Sequence, residues 1–284
     1  MRRIGVVYRE HTPEVLAVLE RVRAWADRHG VEVSVESDAG QGPGATLDLS
    51  TESVDLLVAL GGDGTYLRAS RLAVGTEIPV LGVNLGRLGF LTAVPDTDVE
   101  DGLDTVRRGE ALLERRHRLR ASVDGQDHYG LNDIVVHTSG AARVTPLTLS
   151  VGDPDDLEEV GSFGADGVIV ATPTGSTAYS MSAGGPIIVP EVDALVVTPI
   201  CPHSLAVRPL VVPAEETVCI GSLDPDGDHK VTVDGQVVHR LRPGERVLVE
   251  RDARPLWLVR MPGQTFFRTM RKKLNWAVRP PERS

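Results

Sequence analysis

Asp55-Leu-Leu-Val-Ala-Leu60 is an apolar run that stops in Gly61-Gly62-Asp63-Gly64-Thr65, and Leu67, Ala69, Leu72 and Ala73 then restart a helical period. A buried strand broken by glycine and followed at once by a helix is the signature of an α/β sheet, and it restricts the fold more than any other segment. The surrounding residues agree with it. Ile4-Gly-Val-Val-Tyr8 is a short apolar strand, and Val15, Leu16, Leu19, Val22, Trp25 and Ala26 share one helical face. Val31-Glu-Val-Ser-Val35 alternates as a half-exposed strand does, the Gly/Pro/Ser-rich stretch 37–51 reads as a loop, and Ile78–Asn84 supplies another strand. The order β-α-β-β-α-β predicts a Rossmann-like open sheet that binds ligands at the carboxyl ends of its strands.

Beyond about residue 95 the rhythm changes. Residues 98–108 suit one helix, but from 112 onward the chain offers short apolar or alternating runs at 118–123, 131–137, 145–151, 167–172, 194–199, 217–221, 230–233 and 246–250. Turns such as Asp124-Gly125, Asp153-Pro154-Asp155, Asp226-Gly227, Asp234-Gly235 and Pro243-Gly244 separate them, which predicts a β-rich second domain. The tail regains a helical pattern through Phe266, Phe267, Met270, Leu274 and Trp276, with Arg268, Arg271, Lys272 and Lys273 between them. We expect it to pack back on the first domain and to leave its basic residues as a solvated face. The expected division is 1–95, with 265–284 returning to it, and 96–264.

Composition removes several classes of function. With 30 Lys+Arg against 40 Asp+Glu, the net charge of −10 provides no positive field to gather nucleic acid or an anionic membrane. Residues 167–190 carry no ionisable charge, but Pro173, Pro186 and Pro190 with Gly175, Gly184 and Gly185 make a poor spanning helix. The amino terminus is too short in apolar residues to serve as an export signal. Cys201 and Cys219 lack ligand spacing, which favours a reducing compartment, read as the cytoplasm. Lysine occurs only at 230, 272 and 273, a bias that salt adaptation and a GC-rich genome explain equally well.

The glycine loop stands where backbone N–H groups and a helix N-terminus hold phosphate. A plainer reading makes it a tight turn with Asp63 and Thr65 as helix caps. Neither a GxxxxGK[ST] loop nor a GxGxxG after a strand is present. Asp63 suits either proton acceptance from an attacking hydroxyl or support of a divalent ion beside phosphates, and spacing leaves both open. A second segment, Asp166 to Pro186, opens from an apolar strand into a loop dense in hydroxyls and glycines, a supply of neutral donors and acceptors for sugar and amide groups. Ser176 lacks the GxSxG context of a hydrolase nucleophile, and the histidines at 11, 29, 117, 128, 137, 203, 229 and 239 show no metal spacing.

Taken in order, Gly61-Gly62-Asp63-Gly64-Thr65, Gly82-Val-Asn84-Leu-Gly86 with Gly89-Phe90-Leu91, Asn132-Asp133, Thr172–Pro186 and Pro199-Ile-Cys-Pro-His203-Ser-Leu-Ala-Val-Arg208-Pro-Leu resemble the NAD kinase family. Gly-Asp-Gly alone is shared with lipid kinases and phosphofructokinases; the Pro-Thr-Gly-Ser-Thr-Ala-Tyr block is far more specific. The resemblance implies transfer of the γ-phosphoryl of ATP, or in some members of polyphosphate, to the 2′-hydroxyl of the adenosine ribose of NAD. It also implies a divalent cation, Mg or Mn, accompanying ATP, with no prosthetic group and no metal ligands of the protein's own. Asp63 then matches the proton acceptor, and Gly61, Gly62, Asp63, Gly64 and Thr65 the phosphate-donor loop. Asn132 and Asp133 match the pair that holds the dinucleotide; the family usually has Asn-Glu, so this carboxylate is one methylene shorter. Asp63, Gly64, Arg68, Arg143, Asp166, Thr177, Ala178, Tyr179, Ser180, Met181, Ser182 and Gln236 fall at other dinucleotide contacts, and Gly164 at a place that is arginine in some relatives. Family members are homodimers or homotetramers built through the β-rich domain. A diacylglycerol- or sphingosine-type lipid kinase and a dinucleotide sensor without turnover are the competing readings. The first should lack the Thr172–Tyr179 block, and the second has no need of Asp63.

Overall fold

The structure is a computed structural model that describes residues 1–9, 12–37, 53–86, 89–138, 145–224, 229–242 and 244–276. It divides into two compact units, Met1–Arg115 with Leu256–Ser284, and Arg116–Pro255. No described helix is long and apolar enough to cross a membrane.

In the first unit the chain runs β1 (Arg3–Tyr8), α1 (Pro13–His29), β2 (Glu32–Ser37), β3 (Leu56–Leu60), α2 (Asp63–Leu72), β4 (Val80–Asn84), a short β5 (Val94–Pro95), α3 (Val99–Arg107) and β6 (Leu112–Arg116). The second unit holds β7 (Leu119–Val123), β8 (Gln126–Gly130), β9 (Asp133–Thr138), β10 (Thr145–Asp153), β11 (Asp156–Ala165), β12 (Gly167–Ala171), α4 (Tyr179–Ser182), β13 (Ala194–Ile200), β14 (Leu210–Pro213), β15 (Thr217–Ser222), β16 (His229–Val233), β17 (Gln236–Leu241) and β18 (Arg246–Arg251). The chain then re-enters the first unit as β19 (Leu256–Arg260) and α5 (Phe266–Leu274).

Among the described residues the first unit carries a seven-stranded sheet in the order β2-β1-β3-β4-β19-β6, with β5 also on β4. β1, β2, β3 and β4 pair in parallel, as the alternation of strand and helix requires. α1 starts where Thr12 accepts the Val15 N–H and Pro13 fits the first turn, and it ends at Gly30 in the left-handed region (φ 64°). Its buried face, Val15, Val18, Leu19, Val22, Trp25 and Ala26, is the predicted stripe with Val18 in place of Leu16. The expected loop lies, beyond Ser37, outside the described residues.

The boundary expected at residue 95 is displaced. Val99 and Leu103 of α3 are fully buried in the core that also holds Trp25 and Val94, and the Trp25 indole donates to Asp104 at 3.0 Å. β19 lies parallel to β4 with Leu258 opposite Val80. Residues 96–115 and 256–264 therefore belong to the first unit, because its sheet and helical layer need their apolar groups.

In the second unit two six-stranded sheets, β11-β10-β15-β18-β7-β8 and β14-β13-β12-β9-β16-β17, share one apolar core. Ile134, Val136, Val168 and Val170 face it, whereas the alternate residues Val135, Ile169 and Ala171 face a second cluster with Ile188 and Val196. That cluster is where the segment after Ala171 docks, and it explains why β12 and β13 are buried on both faces. Asp124-Gly125 and Asp234-Gly235 form the predicted hairpin turns, with φ of 50° and 71°, and 47° and 75°. Asp226-Gly227 and Pro243 lie outside the described residues.

Candidate active site

Gly61 ends β3 with its N–H on the Val83 carbonyl at 2.9 Å and φ 152°, and a β-carbon there would overlap Thr65. Gly62 is the N-cap of α2 with no side-chain capping bond, so α2 begins at Asp63. The capping role open to Asp63 in the sequence is not the one it takes. Its side chain crosses to the segment after β4, where Oδ1 accepts the Leu91 N–H at 3.1 Å and Oδ2 accepts the Phe90 N–H at 3.2 Å. Gly89 makes this approach possible, since a β-carbon there would overlap the carboxylate. Lys273 of α5 donates to Oδ2 at 3.2 Å. Asp63 is thus a fixed carboxylate, about a third exposed at 32%, at the amino end of a helix.

The residues on either side of it in the chain line a cleft of about 570 Å³ formed by Arg9, Glu14, Gly61, Gly62, Gly64 and Thr65. The Thr65 and Tyr66 N–H groups both donate to the Gly62 carbonyl, at 3.1 and 3.2 Å, so the amides ahead of them are the ones a helix N-terminus offers to an anion, and the glycines let a ligand approach the main chain. The cleft and the glycine turn suit phosphate. Arg68, further along α2 and an expected dinucleotide contact, pairs with Glu36 at 2.8 Å.

In the second unit, Asn132 and Asp133 lead into β9 under the control of a residue that sequence reasoning assigned only to a turn. The Asp234 carboxylate accepts the backbone N–H groups of Leu131 at 2.9 Å, Asn132 at 2.8 Å and Asp133 at 3.3 Å. Its own N–H donates to the Asp133 carbonyl at 3.0 Å. Asp133 is buried, and burial, helped by repulsion from Asp234, pushes its pKa up to about 7 against a bond from the Tyr179 amide.

The hydroxyl-rich segment is internally bonded more than the sequence suggests. Thr172 Oγ1 donates to the Leu131 carbonyl at 2.7 Å and accepts the Gly175 N–H at 3.0 Å. Ser176 Oγ donates to the Pro173 carbonyl at 2.6 Å and accepts the Ile188 N–H at 2.9 Å, and Ser180 pairs with Thr198 at 2.8 Å. All three are fully buried. Their hydroxyls bond within this segment and to the strands beside it, so the side chain of Ser180, one of the expected dinucleotide contacts, is engaged by Thr198. Gly175 lies so close to the Asn132 carbonyl that a β-carbon would overlap it. This packing brings the 172–182 loop onto Asn132 and Asp133. Tyr179 and Ser182 are exposed, and Thr177, Ala178 and Met181 are half-buried.

Gly164, half-buried, sits near the end of β11, where its carbonyl accepts the His203 N–H at 2.9 Å. Asp166, also half-buried, joins β11 to β12 through backbone bonds to Thr138 and Ile200. Gln236 is exposed at the start of β17, next to the Asp234-Gly235 turn. Arg143 lies outside the described residues. Sequence reasoning missed Asp234 and Lys273. The first was concealed by its role in an Asp-Gly turn and the second by a basic run, and neither pattern carries a signal for the contact made.

The first unit is an α/β domain with a glycine turn of the kind that suits phosphate and a fixed carboxylate, and the second is a β-sandwich with a buried carboxylate beside an internally bonded loop. The family profile described as ATP-NAD kinase N-terminal domain matches residues 4–111, and that described as ATP-NAD kinase C-terminal domain matches residues 131–261. The chain belongs to the ATP-NAD kinase family, kinases that act on a hydroxyl group. It is 46% identical to the NAD kinase of Gemmatimonas aurantiaca over 229 residues, 78% of each chain. It is 40% identical to that of Heliobacterium modesticaldum over 284 residues, 97% of this chain and 99% of the relative. Its fold superposes on yeast NADH kinase complexed with NADH at a TM-score of 0.87 and 28% identity, covering 100% of this chain and 90% of that one. For an Archaeoglobus fulgidus NAD kinase in complex with ATP the TM-score is 0.77 at 27% identity, covering 96% and 98%. These proteins are NAD or NADH kinases, and the lipid-kinase alternative gains nothing from them.

Proposed function

We propose that the chain transfers the γ-phosphoryl of ATP to the 2′-hydroxyl of the adenosine ribose of NAD, with Asp63 accepting the hydroxyl proton. The observation that carries this assignment is the Asp63 carboxylate, turned away from its own helix and anchored by the Phe90 and Leu91 amides, while the flanking Gly62 and Gly64 line a cleft. Phosphoryl transfer is chiefly a matter of position and charge, so a fixed carboxylate beside a phosphate cradle suits it. Gly61 to Thr65 cradle the donor phosphates, and the divalent cation enters with ATP as its magnesium or manganese complex.

Asn132, Asp133 and the loop from Thr177 to Ser182 hold the dinucleotide, with Asp166, Gly164, Arg143 and Gln236 as further contacts. At a pH above 7 the Asp133 carboxylate is ionised and accepts hydrogen bonds from ribose hydroxyls. We place the protein in the cytoplasm, in keeping with its two free cysteines. We read it as a homodimer or homotetramer formed through the second unit, where Val160, Leu205 and Val211 are exposed at 52%, 91% and 49%.

Asp63→Asn tests the central role. It keeps the size and removes the base, so kcat should fall by roughly 10²–10⁴ while NAD titration calorimetry still registers binding. Wild-type kcat in this variant excludes Asp63 as the proton acceptor.

A further inference from the structure

We propose that Lys273 is a positioning residue for phosphoryl transfer: its ammonium, seated against the Phe90 ring, engages Asp63 Oδ2 and leaves Oδ1 to take the hydroxyl proton. The inference rests on the function proposed above and adds a residue and an atom to it.

The geometry is local to the first unit. Lys273 Nζ stands 3.2 Å from Oδ2 and 4.5 Å from the centre of the Phe90 ring, a distance suited to a cation–π contact. Phe90 also donates its backbone N–H to the same oxygen. Phe90 is stacked on Phe266 at 6.2 Å, which ties that ring to the start of the helix bearing Lys273. Carboxylate, backbone donors, ring and ammonium thus form one closed set.

A carboxylate oxygen has two lone-pair directions. Among the described residues Oδ2 receives both the Phe90 N–H and Lys273, whereas Oδ1 receives the Leu91 N–H alone. Oδ1 is the atom with acceptor capacity left. In the step itself the ribose O–H bond breaks and its proton passes to Oδ1, the ribose oxygen forms a bond to the γ-phosphorus, and the bridging bond to the β-phosphate breaks with its electron pair leaving on ADP. An anionic carboxylate facing a triphosphate is repelled by it, and the Lys273 charge offsets that repulsion where the carboxylate has to stay. Lys272, next to it in α5, is exposed and makes no contact with Asp63 among the described residues.

The test is steady-state kinetics with ATP and NAD on the full chain, with Lys273→Met, Lys273→Arg and Lys272→Met, and with Lys273→Met combined with Asp63→Asn. Methionine keeps the stem over Phe90 and removes the charge. For Lys273→Met we expect kcat to fall about tenfold, the magnitude of one charge-assisted hydrogen bond, with KM for both substrates within roughly twofold. Lys273→Arg should restore most of that loss, Lys272→Met should match wild type, and Lys273→Met should add nothing in the Asp63→Asn background. Wild-type kcat in Lys273→Met overturns the inference and leaves the function intact. A raised KM for ATP at constant kcat also overturns it, because it makes Lys273 a donor-binding group. A fall in thermal stability that Lys273→Arg does not reverse assigns it a structural role instead. Absence of NAD phosphorylation by the wild type overturns the proposed function and this inference together.

Discussion

Among single residues, Asp133 offers the clearest pH signature. Burial raises its pKa to about 7, above the unfolded value of ~4, so the folded state holds the proton more tightly between those limits. The stability this contributes is complete below the unfolded pKa and is lost as pH rises through about 7. The melting temperature of wild type should therefore fall relative to Asp133→Asn between pH 5 and 8, and a constant difference would rule out the titration. If the ionised form holds ribose hydroxyls, KM for NAD should decrease over the same rise in pH and lose that dependence in the variant. Gly89→Ala is a second test at this scale. A methyl there overlaps the Asp63 carboxylate, so kcat should drop at least tenfold while the fold persists by circular dichroism. Gly164→Arg is a third: charge placed at this proposed dinucleotide contact should change the NAD/NADH ratio of kcat/KM, and an unchanged ratio means that this residue does not touch the acceptor.

At the scale of elements, Thr172 fastens the hydroxyl-rich loop to the start of β9. Thr172→Val keeps the shape but strands the Leu131 carbonyl and the Gly175 N–H, so it should cost about 1–3 kcal/mol in urea unfolding and raise KM for NAD. Unchanged stability would show that the loop is held by Ile188 and its apolar neighbours alone. The elements of the first ninety residues were legible because apolar periodicity and glycine breaks are local properties. In the second unit the buried strands β7, β9, β10, β12, β13, β15, β16 and β18 were legible too. Those that escaped there, β8, β11, β14 and β17, and β6 in the first unit, are partly or largely exposed; β14 is apolar, Leu210-Val-Val212, but only four residues long and ends in proline. β19 is the exception, with Leu256, Leu258 and Val259 buried, yet its place beside β4 is set by a partner far away in the chain. The glycine turn, Asp63 and Asn132-Asp133 could be read from the sequence, but the bonds from Asp234 and Lys273 join positions distant in sequence. The hydroxyls of Thr172, Ser176 and Ser180 suggested a ligand surface because composition does not reveal which hydroxyls bond inward.

For the whole molecule, the second unit is one continuous segment, whereas the sheet of the first unit is completed only when β19 arrives. Residues 116–255 should therefore fold alone into a β-rich domain in which Cys219, 4% exposed in β15, resists a thiol reagent until denaturant is added. A rapidly labelled Cys219 in that fragment would contradict an independent core. The most direct measurement of the proposed reaction is incubation of the full chain with ATP labelled at the γ-phosphate, magnesium, NAD and a diacylglycerol dispersion in one vessel, followed by product separation and location of the label. The label is expected on the 2′-position of the adenosine ribose of NAD, with its rate of appearance reduced roughly 10²–10⁴ in Asp63→Asn; label in the lipid with unlabelled NAD would contradict the assignment.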